Sequence, residues 1–92
     1  MNLSEHFTLA EFCRSESAVR RNIPNNLPAD LLHAAKATAT MMEGIRAHLC
    51  KLAGREIRIN VSSGYRCIAL NRSLGSSDTS DHVQAAAMDW EA

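Results

Sequence analysis

The sequence has little of what marks a specialised class. Only four of its 92 residues are aromatic (Phe7, Phe12, Tyr65 and Trp90), too few for a surface that stacks nucleobases. It has no excess charge of either sign: ten basic residues balance ten acidic ones, so no overall field draws the chain to nucleic acid or to an anionic membrane. Arg55, Arg58, Arg66 and Arg72 lie close together in sequence, but within that neutral total. No apolar run approaches the roughly 18 residues a membrane span needs. The opening Met-Asn-Leu-Ser-Glu-His lacks the basic and apolar regions of a signal peptide. The expectation is a chain made in the cytoplasm and soluble there, with neither nucleic acid nor membrane as a partner. Three cysteines, Cys13, Cys50 and Cys67, are an odd number without CxxC spacing. They read as free thiols of a reducing compartment, not as a disulfide framework.

What is present is ordinary globular composition, 46% hydrophobic and 22% charged, without repeats or low-complexity tracts. That predicts one domain over residues 1–92. A chain of this size buries only about two-thirds of the surface its unfolded form exposes, so a metal or a partner would add usefully to its stability.

Thr8 and Glu11 have the spacing of a capping box, with Phe7 and Phe12 placed around it as a hydrophobic staple. The helix they start is expected to end before the Asn22–Pro28 stretch, where prolines and asparagines favour turns. From Pro28 to Leu52, Leu31, Ala35, Thr38, Met42, Ile45, Leu49 and Leu52 fall at alternating steps of four and three, one face of a long helix that Gly54 would close. Gly44 interrupts it without a local reason, and His33 and His48 read as surface or half-buried histidines. The period then changes to two at Ile57, Ile59 and Val61, the pattern of a half-buried strand. Ser63-Gly64 marks a turn, residues 67–74 a short helix and residues 75–81 a polar loop. Residues 85–90, taken as a strand, would place Ala86, Met88 and Trp90 on one face. Helices first and strands after predict an α+β domain, N-terminal helices packed on a small antiparallel sheet.

The chemistry-bearing residues are concentrated between 62 and 89. His82 and Asp89 are seven positions apart, about 10.5 Å along a helix and over about 20 Å along a straight strand. Only a bend between them, with Asp89 carried back on a strand, would let both side chains meet one ion.

The wider pattern reads Ser63-Gly64-Tyr65-Arg66, Asn71-Arg72, Gly75 through His82, and Ala87-Met88-Asp89. It resembles the zinc D-alanyl-D-alanine carboxypeptidase family, which includes L-alanyl-D-glutamate endopeptidases. The segment Ser4–Phe12 is similar to the opening of the family's phage and prophage branch. The resemblance implies the Hedgehog/D-Ala-D-Ala-peptidase type of fold, a peptidoglycan peptide as substrate and Zn2+ as cofactor. His82 and Asp89 match two of its metal ligands. Arg66 matches the arginine, catalytic and substrate-binding, that meets the substrate's carboxylate or scissile carbonyl, and Ser80 a serine that donates to substrate. The substrate would lie in the cell wall or periplasm.

Two departures stand out. Ala85 occupies the position of a family glycine, which would be strained if the backbone there needs positive φ. The family's third ligand, a histidine, and its acidic general base lie beyond the aspartate, and no histidine follows His82. Cys67, His6 and His48 are the residues considered for the third place. The expectation is an incomplete zinc site on a truncated chain with little or no activity, and a strand edge open to homo-oligomeric pairing. The alternative is a non-catalytic phage or prophage binding or structural module on the same fold.

Overall fold

A computed structural model describes residues 1–92. Helix α1 (Leu9–Cys13) and helix α2 (Glu16–Arg20) are followed by a 3-10 turn (Ala29–Leu31) that runs into the long helix α3 (Leu32–Ala53). Strand β1 (Asn60–Ser63), helix α4 (Ile68–Ser73) and strand β2 (Asp89–Glu91) complete the α+β fold. The two strands pair antiparallel, Val61 opposite Trp90 and Ser63 opposite Asp89, with an irregular step between Val61 and Ser63. β2 has β1 as its one partner, so its other edge is open. No helix is long and apolar enough to cross a membrane.

Local sequence accounts for the start. Thr8 and Glu11 form the complete capping box, and Phe7 and Phe12 both lie in the core. The single N-terminal helix expected from the sequence is instead two. Arg14 and Ser15 adopt extended backbone, and the Ser15 hydroxyl restarts the helix by accepting from the Ala18 N–H at 3.1 Å. A serine is a preferred N-cap residue, so the break has a sequence signal.

In α3 the apolar stripe buries Ala35, Thr38, Ala39 and Met42, and half-buries Ile45 and Leu49. Leu52, expected on that stripe, is exposed. Leu49 is the last residue of α3 that packs on the core, and Leu52 lies in the final turn, where Lys51 and Ala53 on either side are exposed as well. Gly54 closes the helix in the left-handed conformation, φ 67°. Gly44 faces open space, and nothing in the structure requires glycine there.

Ile59 and Val61 are buried as the alternation predicts, but the strand begins at Asn60, not Ile57. β2 reaches only as far as Glu91, opposite Asn60, and the Ile57 N–H is taken by the Cys50 sulfur at 3.2 Å. The predicted strand over 85–90 is likewise reduced to Asp89–Glu91. Ala85 has φ 58°, outside the β region, and Ala86 donates back to the Asp81 carbonyl at 2.9 Å. Ala86 and Trp90 are exposed and Met88 is half-buried, so they form no common buried face. All three cysteines are free, and burial pushes the Cys13 thiol up.

Glu43 on α3 ties the N-terminal segment to the long helix. Its carboxylate accepts from the Ser4 hydroxyl and the His6 N–H, both at 2.6 Å, and from the His6 Nδ1 at 2.7 Å. Burial is the largest single influence and works to raise its pKa, but the bonds from Ser4 and His6 together outweigh it and hold the carboxyl below its ordinary value of 4.5. A lowered carboxyl contributes stability in full above the unfolded value, and that contribution fades as pH falls through the folded one. Glu43→Gln is expected to cost about 1–2 kcal/mol at pH 7. The difference from the parent should shrink below pH 4.5, read as urea midpoints across pH.

Candidate functional site

The site is assembled on Gly64. The residue is buried, and a Cβ added to it would run into the backbone carbonyl and ring of Phe12. Only glycine lets the chain after β1 lie this close to α1. The next residue completes the attachment, with the Tyr65 N–H donating to the Phe12 carbonyl at 2.8 Å. The Tyr65 ring packs in the core, where burial raises the phenol's pKa.

From that anchored segment the Gly64 carbonyl accepts the His82 Nδ1–H at 2.7 Å. A carbonyl can only accept, so this bond places the proton of a neutral ring on Nδ1 and leaves the Nε2 lone pair free. Nε2 lies 3.4 Å from Asp89 Oδ2. The His82 side chain is only 11% exposed, whereas that of Asp89 is 66% exposed. The bend required between them is the turn over residues 81–85, closed by N–H bonds of Val83, Gln84 and Ala85 to residues three positions earlier. Ala85 does adopt the left-handed conformation there. Its carbonyl is held by the buried Thr38 hydroxyl at 2.7 Å, which gives a purpose to the one polar residue on the inner stripe of α3.

Arg66 is tied to the same turn through its backbone N–H, which donates to the His82 carbonyl at 3.2 Å. Asn25 brackets it from the other side, donating to the carbonyls of Cys13 and Tyr65 at 2.8 and 2.9 Å and accepting the Cys67 N–H at 2.8 Å. Sequence reasoning placed Asn25 only in a turn-rich stretch. Its partners lie up to 42 positions away, and nothing local announces them. The Arg66 Nε is buried without a partner, and Arg66, Ser63 and Asp89 line one cleft of about 780 Å³.

Ser80 sits on the turn, and its hydroxyl oxygen accepts the His82 N–H at 3.3 Å, leaving its own proton to donate. The preceding loop is pinned to α4. Asn71 donates to the Ser77 carbonyl at 2.6 Å, and Arg72 forms a two-bond pair with Asp78 at 2.9 and 2.6 Å. Hydrogen bonding to Arg72 holds the Asp78 carboxyl below the usual range.

No group of three His, Cys, Asp or Glu side chains is arranged so that it could hold a metal ion. The three residues considered for a third ligand are placed elsewhere. His6 is paired with Glu43, His48 is exposed on α3, and the Cys67 sulfur caps α4 by accepting the Leu70 N–H at 3.5 Å. The two donors that do meet fit zinc in kind and spacing. With zinc–nitrogen and zinc–oxygen bonds of about 2.0–2.2 Å, neighbouring ligands of a tetrahedron lie about 3.3 Å apart.

Gly64→Ala is expected to cost about 3 kcal/mol, because the added methyl meets backbone that cannot yield. Ala85→Gly trades relief of a left-handed alanine, about 1–2 kcal/mol, against a lost buried methyl, about 0.8 kcal/mol, and a more flexible unfolded chain. It is expected to be neutral within about 0.5 kcal/mol. Ala39→Gly, equally buried but in mid-helix, lacks that relief and should cost about 2 kcal/mol. Urea unfolding of the three variants reads all these differences.

Among curated proteins and among solved structures, nothing matches. The family model for peptidase M15 matches residues 5–92, which takes in the capping box, the Gly64–Arg66 segment, the His82 turn and Asp89. By that match the chain belongs to the peptidase M15 family.

Proposed function

We propose that this domain is a zinc peptidase of peptidoglycan peptides, acting on D-Ala-D-Ala or L-Ala-D-Glu bonds, of the phage and prophage branch. The carrying observation is the pair of donors, His82 Nε2 and Asp89 Oδ2, at 3.4 Å with the imidazole tautomer set by Gly64. A second hydrogen bond of this kind orients a ligating histidine and raises its basicity. Zinc held by these two side chains would supply Lewis acidity toward the scissile carbonyl and toward water.

The remaining roles belong to the chain itself. Arg66, fixed by backbone bonds on both sides, presents a planar guanidinium to a carboxylate or to a carbonyl gaining negative charge. Ser80 offers its hydroxyl proton to the substrate from the turn that carries His82. No third ligand joins these two donors. Residues 1–92 are therefore expected to hold zinc weakly and to turn over peptides poorly.

Calorimetric titration of the purified chain with zinc tests this reading. A weak stoichiometric site abolished by His82→Ala and by Asp89→Asn is the expected result. Zinc binding indifferent to both substitutions, or none at all, would overturn it in favour of a non-catalytic module. Hydrolysis of either peptide class at ordinary enzymatic rates, about 1 s⁻¹ or faster, would overturn the expectation of low activity.

A further inference from the structure

The cleft that holds Arg66 and Asp89 extends well past them. Arg14, at the end of α1, and Arg20, on α2, line the same 780 Å³ space, as do Glu16 on α2 and Glu91 on β2. None of the three arginines has a carboxylate within ion-pair distance. The ion pairs of the molecule join His6 to Glu5 and Glu43, Arg72 to Asp78, and His82 to Asp89. Glu16 stands four residues before Arg20, a spacing at which a helical pair commonly forms, and here it does not.

Arg14 gives one N–H to the Val61 carbonyl and Arg20 one to the Ser17 hydroxyl, each at a long 3.4 Å. Most of the five donors on each guanidinium are thus uncommitted. Both side chains are exposed residues at the surface of the fold, so a ligand reaches them without rearrangement of the core.

Resting on the peptidase reading above, we propose that Arg14 and Arg20 form an anion subsite for a second carboxylate of the peptide, apart from the group that meets Arg66. The planar fork of a guanidinium matches a carboxylate with two parallel bonds. The carboxylates of Glu16, Asp89 and Glu91 in the same cleft oppose a polyanion such as nucleic acid by like-charge repulsion. The ligand that fits is a peptide carrying an isolated free carboxylate away from its scissile bond.

The test uses two probes on the 92-residue chain: a peptidoglycan-type pentapeptide, Ala-γ-D-Glu-Lys-D-Ala-D-Ala, and the same peptide with its glutamyl carboxylate amidated. Titration calorimetry or amide NMR shifts give their affinities, with no metal added. The free acid is expected to bind about tenfold more tightly, the effect of a charge-assisted bond pair at a solvent-facing site. The double variant Arg14→Gln/Arg20→Gln should bring the two affinities within about twofold by the same reasoning and leave the amidated peptide's affinity unchanged. Arg55→Gln, an exposed arginine outside the cleft, controls for net charge and should keep the preference. Equal affinity of both peptides for the parent chain, or a preference that survives the double variant, would overturn the subsite while leaving the peptidase reading standing. Failure of both peptides to bind would overturn the subsite and the peptidase reading together.

Discussion

The bond from His82 Nδ1 to the Gly64 carbonyl is the constraint on which the site depends. It holds the imidazole in one orientation and one tautomer, and so directs the free Nε2 toward Asp89. The carbonyl is in place because Gly64 has no side chain to keep it away from Phe12, and because Tyr65 bonds to that same residue's backbone. Hydrophobic burial of Phe12 thus reaches the metal-type donor pair through two short links. A site attached to the core in this way is positioned by packing, the most rigid element a small domain has.

The second support is polar and also internal. Thr38 and Asn25 each make bonds over long sequence separations, Thr38 to the carbonyl of the strained Ala85 and Asn25 to both neighbours of Arg66. A buried donor without a partner costs more than a satisfied one contributes. Removing either side chain would therefore leave orphaned backbone groups as well as a loosened turn. The left-handed Ala85 sits between His82 and Asp89, where it turns the chain back toward β1. Strain of this sort persists when the surroundings over-determine it, and here the Thr38 hydroxyl and the 81–85 turn do so.

Much of this was legible in the residues. The Thr8–Glu11 box, the long α3 stripe, the α4 helix, and the buried Ile59 and Val61 follow from spacing alone, because each depends on neighbours within a few positions. The motif singled out Arg66, Ser80, His82 and Asp89, and the fold ties Arg66, Ser80 and Asp89 to His82. The break at Ser15 carries its own local signal, the serine cap, whereas the late start of β1, the short β2 and the exposed Leu52 were settled by which partner lies opposite, or by how far the core extends.

The sequence by itself determined the α+β class, the capped start of α1 and the family to which the chain belongs, since capping, periodicity and motif spacing are local properties. Only the tertiary structure decided that Nε2 of His82 and Oδ2 of Asp89 lie 3.4 Å apart, that no third donor joins them, and that Arg14 and Arg20 share their cleft. Those facts rest on contacts between segments tens of residues apart. The core specifies such contacts through what it excludes around Phe12 and what it leaves open between α2 and β2, and no window of sequence contains them.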